Sequence, residues 1–164
     1  MSPSVKHHLH VSAKAVVVRD GQLLLVEYQD TPRGEVGHHY NLPGGRMLPD
    51  EQATETLRRK GVEEAGACLV PGPLLLVYEY IGRNHAFVCE DKHSVSLVFR
   101  CDLAPGSEEP SLTRATARDA IQTDVRWIPL DRLEEIVLWP NFACQLVQAI
   151  REPQRGNQYW GDIL

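Results

Sequence analysis

GGRMLPDEQATETLRRKGVEEAGA, residues 44–67, is the most informative stretch of this 164-residue sequence. A diglycine is followed by turn-forming residues and then by a run that predicts a helix over about residues 51–65. We expect Asp50 to be the N-cap and Gly66 the C-cap of this helix, because these residue types favour those positions. The stretch therefore predicts a tight turn that leads directly into a charged helix.

Charged side chains gather on one side of this predicted helix. With about 100° between successive residues, one stripe steps in fours through Glu51, Glu55, Arg59 and Glu63. The opposite arc carries Leu57, Gly61 and Ala65 and is expected to face the core. Carboxylates beside a glycine-rich turn can bind Mg²⁺ or Mn²⁺, since these hard ions take oxygen ligands. A solvated helix face has a similar composition, so the residues alone leave both interpretations open.

The spacing within this stretch resembles the signature of the Nudix hydrolase family, G-x₅-E-x₇-R-E-U-x-E-E-x-G-U, in which U is aliphatic. The positions in register are Gly45, Glu51, Arg59, Glu63, Glu64 and Gly66. The preceding NLPG and the later VRWIPLDRL are also similar to that family. The resemblance extends from about residue 12 to residue 150, which is nearly the whole domain.

That resemblance implies both a fold and an activity. The fold would be α/β, of the α+β kind, with a central mixed β-sheet in a Nudix-type α/β/α sandwich. The activity would be hydrolysis of a nucleoside diphosphate linked to another group, with Mg²⁺ or Mn²⁺ neutralising charge on the pyrophosphate. By the same resemblance Glu63 and Glu64 are catalytic metal ligands, and Gly44 adds its carbonyl oxygen. The groups that support the loop and helix are Gly45, Glu51 and Arg59, the last also counted as catalytic.

Two signature positions differ from the family pattern. Lys60 stands where the family has an acidic residue that binds metal or takes a proton from the attacking water, and Gly61 replaces an aliphatic residue. A protonated lysine does neither task, and loss of a general base costs typically ~10²- to 10⁴-fold in rate. Lys60 could swing away on its long stem, pair with Glu64, or lose its proton beside a metal; we expect it to swing away, because that needs no desolvation. Gly61 is expected to weaken the helix by about 1 kcal/mol relative to alanine and to leave a core contact unmade.

Residues outside the signature are candidates for catalysis and for substrate binding. The family often recruits a carboxylate from the loop before a tryptophan-containing strand, and Asp124 is the first choice here, ahead of Asp119 and two earlier glutamates. Arg46 is the expected phosphate contact. Tyr40 could stack on a base or pack within the sheet, and the sequence leaves these alternatives open.

The remaining sequence predicts mostly strands, with helices inserted and at the end. Asp20 and Gly21 separate two apolar runs and predict a hairpin. Strand patterns occupy residues 72–82, 93–103 and 125–130. Helices are expected at 131–137 and 141–152, and the second has an apolar side with Phe142, Leu146, Val147 and Ile150. We interpret 1–11 as an N-terminal tail, 12–152 as one Nudix domain, and 153–164 as a C-terminal tail.

Bulk properties restrict the classes of function. The net charge of −5 argues against general nucleic-acid binding, which rewards clustered Lys and Arg. No apolar run approaches the roughly 18 residues that suggest a membrane span, and the start lacks a secretory signal. Four scattered cysteines fit a reducing cytoplasm. His85, Cys89 and His93 have a spacing that would suit zinc on a helix, but residues 82–94 are interpreted as a loop.

Two functional hypotheses follow. The first is a cytoplasmic, metal-dependent pyrophosphohydrolase that acts on a small nucleotide, with activity reduced by Lys60. The second is a Nudix-like module that binds a nucleotide without turning it over. Homodimers are common in the family, but the sequence identifies no interface.

Overall fold

Most of the chain is extended, as its leucine-rich and β-branched runs predict. The computed structural model describes residues 9–30, 37–85, 92–153 and 158–163, and within them lie eight strands and two α-helices. The strands are β1 (Leu9–Arg19), β2 (Gln22–Gln29), β3 (His38–Asn41), β4 (Gly44–Arg46), β5 (Leu69–Ile81), β6 (His93–Leu103), β7 (Gln122–Pro129) and β8 (Tyr159–Asp162). The helices are α1 (Ala53–Ala65) and α2 (Ala143–Arg151), with 3₁₀ turns at Gly82–Asn84, Leu112–Arg114 and Leu130–Glu135.

The strands form one mixed sheet in the order β3-β2-β1-β6-β5-β8, with β4 paired to β1 and β7 paired to β2. The predicted hairpin is confirmed, because β1 and β2 pair antiparallel through Val18 and Leu23, and Asp20 and Gly21 both have positive φ. Strand β1 runs parallel to β6 and antiparallel to β4. This long strand therefore contacts three others and brings the turn before α1 to the middle of the sheet.

Alternate residues of the strands bury two separate cores, one on each face of the sheet. On one face Leu57 and Ala65 of α1 pack with Ala13, Ala15 and Val17 of β1. On the other face the core contains Val16 of β1 together with Phe142, Leu146 and Ile150, which lie in α2 or directly before it. The expected α/β/α sandwich around a mixed sheet is confirmed.

Helix α1 begins later than its sequence predicts. The N-cap is Gln52, whose N–H donates to the Glu55 carboxylate over 2.7 Å. Asp50, the predicted N-cap, has φ 64° and lies in the turn before the helix. The capping box prevails because Glu55 reaches back to the helix start. The predicted C-cap is confirmed, since Gly66 is left-handed at φ 59°.

Gly61 does not leave the predicted gap in the core. A Cβ at this position would lie 2.7 Å from Leu69 Cγ and 2.8 Å from the Ala67 carbonyl oxygen. The prediction that a core contact is left unmade is therefore wrong. Leu69, at the start of β5, fills the space that an aliphatic side chain would otherwise take. The small residue lets the chain turn back closely against α1.

Two strands were not expected from the sequence. The diglycine, where the sequence predicts a tight turn, instead forms β4, which pairs with Ser12–Lys14 of β1. Within the segment interpreted as a C-terminal tail, β8 pairs with β5 through Val77 and Tyr159. Glycines carry no apolar pattern, and a four-residue strand shows too little alternation to detect. No helix in the described part of the chain is long and apolar enough to cross a membrane.

Candidate active site

A bidentate ion pair fixes the turn to α1. Arg59 Nε and Nη2 donate to the two carboxylate oxygens of Glu51 over 2.7 and 2.8 Å. The same carboxylate accepts the Leu48 N–H and the Thr56 hydroxyl. These donors hold the pKa of Glu51 far below its usual range, with Arg59 the largest cause. Glu51 thus stays ionised and braces the turn, because paired charges in a fork geometry are strong and directional.

Gly44 approaches the backbone of β1 more closely than any other residue type could. Its φ is 133°, and a Cβ there would overlap the carbonyl oxygen of Ala13 in β1. This approach turns the Gly44 N–H toward α1, where it donates to Glu64 Oε2 over 3.0 Å. The side chain of Glu64 is 10% exposed. The diglycine therefore fixes the orientation of a nearly buried carboxylate.

Lys60 does not swing away, contrary to expectation. Its Nζ lies 3.0 Å from Glu63 Oε2 and 3.6 Å from Glu64 Oε1. Its stem passes Gly45, where a Cβ would lie 2.9 Å from Lys60 Cε. The reason is spacing, since residues three and four apart on a helix are neighbours and opposite charges attract. Lys60 is therefore an integral part of the acidic cluster.

A second lysine reaches the same turn from β1. Lys14 Nζ lies 3.2 Å from the Gly44 carbonyl oxygen and 3.4 Å from that of Leu42. Burial lowers the pKa of Lys14, and the nearby Glu64 acts in the opposite direction. Both carbonyl contacts orient the amine toward the turn. The Gly44 carbonyl that the family resemblance assigns to a metal thus already has a basic partner.

The two central carboxyl groups respond differently to this environment. Burial raises the pKa of Glu64, although Lys14, the Gly44 N–H and Lys60 oppose it. The pKa of Glu63 is lowered, because Lys60 and Arg59 together outweigh its burial. Desolvation disfavours charge and neighbouring cations favour it. Glu63 is therefore the more readily ionised member of the pair.

A cavity of about 390 Å³ opens beside this cluster. Its polar wall includes Lys14, Gly45, Arg46 and Lys92, whereas Tyr80 is part of an aromatic wall. The other lining residues are His10, Ser12, Asn41, Tyr78, Ser94, Ser96, Trp139 and Pro140. None of the described lining residues is acidic. Such a combination suits an anion that carries a flat ring, because bases stack on aromatic side chains and phosphates pair with Lys and Arg.

The aromatic wall is supported from behind. Tyr80 and Trp139 meet edge to face with ring centroids 5.9 Å apart, and His85 stacks on Tyr80 at 4.2 Å. Asp162 of β8 contacts His85 Nε2 over 2.9 Å. His93 contacts Glu79 instead. The described residues contain no group of three His, Cys, Asp or Glu side chains that could hold a metal, and Cys89 lies outside them.

Residues 8–146 match the family model described as the NUDIX domain. The chain belongs to the Nudix family. Its fold is similar to that of a NUDIX hydrolase from Nitrosomonas europaea (TM-score 0.69, 19% identity, 92% of this chain and 93% of that chain). It is also similar to a MutT protein from Methanosarcina mazei Go1 (TM-score 0.67, 22% identity, 93% of this chain and 100% of that chain). A third similar structure is an ADP-ribose pyrophosphatase from Streptococcus suis 89-1591 (TM-score 0.62, 18% identity, 93% of this chain and 98% of that chain). These likenesses show the fold, and no curated protein matches the sequence significantly.

Nudix hydrolases generally use divalent metal ions. The oxygen atoms of this cluster belong to the ligand types that such ions bind. Glu63, Glu64 and the Gly44 carbonyl are hard donors of the type that Mg²⁺ and Mn²⁺ take. In this chain, however, Lys60 contacts both carboxylates, and Lys14 contacts the carbonyl. An ion fits this donor set only after Lys60 leaves the two carboxylates.

The structure does not bring Asp124 to this cluster. Alternation along β7 places Asp124 with Arg126, which pairs with Leu25 on the face of the sheet that α2 covers. Asp124 Oδ2 lies 3.0 Å from Arg126 Nη2, and Arg126 Nε in turn lies 2.6 Å from Glu27. Trp127 lies on the α1 face instead. Side chains along a strand alternate between the two faces of the sheet. The nearness of Asp124 to Trp127 in the sequence therefore did not predict the face on which Asp124 lies.

The two predicted substrate contacts are placed differently. Arg46 lines the cavity, and its carbonyl oxygen accepts a hydrogen bond from Arg59 Nη2 over 3.2 Å. Tyr40 is 7% exposed and packs in the α2-side core. Its backbone nevertheless shapes the cavity, because the Tyr40 carbonyl accepts the Trp139 N–H over 2.8 Å. Tyr40 therefore positions a cavity residue rather than lining the cavity itself.

The long loop before β7 lies along the C-terminal end of α1. Ser111 N–H donates to the Ala65 carbonyl and Ala117 N–H to that of Glu63, while Gln122 Nε2 donates to the Glu64 carbonyl over 2.6 Å. Helix ends leave carbonyls without partners, so this loop stabilises the turn of α1 that carries both carboxylates. The other loop carboxylates bond elsewhere, Glu109 to Arg19 and Asp119 to the Ile121 N–H.

Sequence reasoning missed several residues of the site. Lys14 follows the alternation His10, Ser12, Lys14 on one face of β1, a signal that could have identified it. Lys92 and Trp139 had no comparable signal, since they come from segments that only the folded chain brings together. Gln122 is a buried polar residue whose partner is the α1 backbone, and no local pattern indicates such a role.

Proposed function

We propose that this protein binds a nucleoside diphosphate derivative in the cavity and hydrolyses its pyrophosphate linkage slowly. The single observation that carries the proposal is the cavity itself, which joins an aromatic wall to a basic wall and reaches Gly45 beside the acidic cluster. A base stacked near Tyr80 and Trp139 would leave its phosphates facing Lys14, Arg46 and Lys92. Proteins of similar fold include an ADP-ribose pyrophosphatase and a UDP-X diphosphatase, and these names agree with this class of substrate.

The role proposed for each residue of the site follows from its position. Arg46 and Lys14 face the cavity and would hold the diphosphate, while Arg59 holds Glu63 and Glu51 in fixed orientations. Glu63 and Glu64, with the Gly44 carbonyl, would hold a divalent ion, which when bound neutralises charge on the pyrophosphate. Glu63 stays ionised, since Lys60 and Arg59 lower its pKa, and it is partly exposed, so it would accept a hydrogen bond from an attacking water. Asp124 has no part in this proposal because of its position on the other face.

A second candidate function is nucleotide binding without turnover. The observation that favours it is the contact of Lys60 with both Glu63 and Glu64. Displacing that ammonium breaks both ion pairs. The ammonium also competes with any cation that approaches the carboxylates. The cavity would remain a binding site in either case.

Replacement of Lys60 by glutamate tests turnover. With Mg²⁺ or Mn²⁺, Lys60→Glu should raise the rate on a panel of nucleoside diphosphate derivatives by at least about tenfold, because it restores a third carboxylate and removes the competing cation. Release of the nucleoside monophosphate, measured by chromatography, gives the rate.

Arg58→Glu is the matched control, since Arg58 is exposed on the same helix and the substitution changes the charge equally. It should leave the rate near that of the parent. A lower rate in Lys60→Glu would show that Lys60 acts in catalysis itself. Binding of a nucleotide by both proteins without turnover in either would favour the second candidate.

A further inference from the structure

Basic side chains of the protein contact every carboxylate of the site. The cluster contains three acidic side chains, Glu51, Glu63 and Glu64, and each contacts or faces a basic group. The basic side chains in contact with them are Arg59 and Lys60, while Lys14 contacts the carbonyl of Gly44, whose N–H bonds Glu64. Carboxylates that share a site repel one another unless cations separate them. Here side chains of the protein supply those cations.

The position of Lys60 is built into the fold. Its ammonium lies between Glu63 and Glu64, and its side chain is only 23% exposed. The stem passes a glycine at position 45, where a Cβ would lie 2.9 Å from Lys60 Cε. The carboxylates are themselves held, Glu63 by Arg59 and Glu64 by the Gly44 N–H. Lys60 therefore occupies a formed site between two fixed anions.

Positive charge also continues from the cluster into the cavity. Lys14 contacts the Gly44 carbonyl and lines the cavity, together with Arg46 and Lys92. The described lining residues include no carboxylate that a ligand phosphate would meet. A diphosphate placed against this wall meets basic side chains on the cavity side, and behind Gly45 it faces carboxylates that Lys60 already contacts.

We propose that Lys60 and Lys14 are resident cations of this site, so that the diphosphate group of a nucleotide binds without a divalent metal ion. This inference rests on the proposed function, because it concerns the ligand of the same cavity. The inference goes beyond the proposed function, because it assigns the neutralisation of the carboxylates and of the bound diphosphate to lysine side chains.

Calorimetric titration with ADP and with UDP tests the inference. For the parent protein, Kd should be the same within about twofold in EDTA and in saturating Mg²⁺, because neutralisation does not depend on the ion. In Lys60→Gln, binding in EDTA should weaken by at least about tenfold, since the carboxylates lose a cation beside the diphosphate. Mg²⁺ should restore binding to this variant. Arg58→Gln, on the same helix, should behave like the parent.

A second readout follows the metal alone. Electron paramagnetic resonance of Mn²⁺ should show little binding to the parent without nucleotide, and clear binding to Lys60→Glu. Circular dichroism and melting temperatures establish that the variants fold. Nucleotide binding by the parent in Mg²⁺ but not in EDTA would overturn the inference and leave the proposed function standing. Absence of nucleotide binding under both conditions would overturn the proposed function as well.

Discussion

At the scale of single residues, glycines and lysines determine what this site can hold. Gly44 lets the turn contact the backbone of β1, and Gly45 leaves room for the stem of Lys60. Lys60 then contacts both carboxylates that the family resemblance assigns to a metal. A lysine at the position where the family signature has an acidic residue thus places a basic group between the two carboxylates.

Gly44→Ala should be far more damaging than Gly106→Ala. Both glycines have positive φ, but a Cβ on Gly106 has no neighbour within 4 Å, whereas one on Gly44 meets Ala13. Gly106→Ala should cost about 1–2 kcal/mol of backbone strain, whereas Gly44→Ala should add about 1–3 kcal/mol of overpacking. Melting temperatures measure both. Equal losses in the two variants would contradict the close approach of Gly44 to β1.

At the scale of elements, α1 is positioned by β5 as well as by its own sequence. Leu69 fills the space next to Gly61, and the loop before β7 bonds the last carbonyls of the helix. The weak helix propensity at Gly61 is therefore offset by tertiary packing. The orientation of Glu63 and Glu64 depends on contacts that lie far from them in sequence.

Gly61→Val should destabilise the protein, although it restores the residue type of the family signature. The new side chain would collide with Leu69, so the melting temperature should fall. Leu69→Ala alone should cost about 2–5 kcal/mol. The loss of unfolding free energy in the double variant should be smaller than the sum of the two single losses by about 0.5–3 kcal/mol, because the two side chains share one space.

Denaturant titrations of the four proteins give this coupling energy. Gly61→Val combined with Leu146→Ala is the control pair, since Leu146 lies in the core on the other face and the losses should add. Additive losses for Gly61 and Leu69 would contradict the packing described for α1 and β5.

At the scale of the whole molecule, the sequence predicted what depends on local pattern. The hairpin at Asp20 and Gly21, the Gly66 C-cap and the sandwich of helices on a mixed sheet follow from periodicity, turn residues and the family signature. What escaped prediction depends on three-dimensional proximity. Lys60 was expected to swing away, yet the carboxylates hold it, and Asp124 lies on the face of the sheet opposite α1. Short strands such as β8 carry too few residues to show alternation.

Strand β8 connects the C-terminal part of the chain to the aromatic wall of the cavity. Asp162 accepts hydrogen bonds from the Ile81 N–H and from Asn84, and it contacts His85, which stacks on Tyr80. Burial opposes ionisation of Asp162, but these partners outweigh it and hold its pKa below the usual 3.8. Hydrogen bonds from Tyr159 and His93 lower the pKa of Glu79, whereas the charge of Asp162 in turn acts to raise it.

Asp162→Asn should therefore lower stability in a pH-dependent way. A carboxyl group whose pKa is lowered on folding contributes stability above its unfolded pKa of 3.8 and loses it as pH falls through the lower folded value. The parent should melt several degrees above Asp162→Asn near neutral pH, and the difference should shrink below about pH 4. Asp131→Asn is the control, since that carboxyl is exposed. A constant difference at all pH values would mean that packing, rather than the charge of Asp162, holds β8 to the sheet.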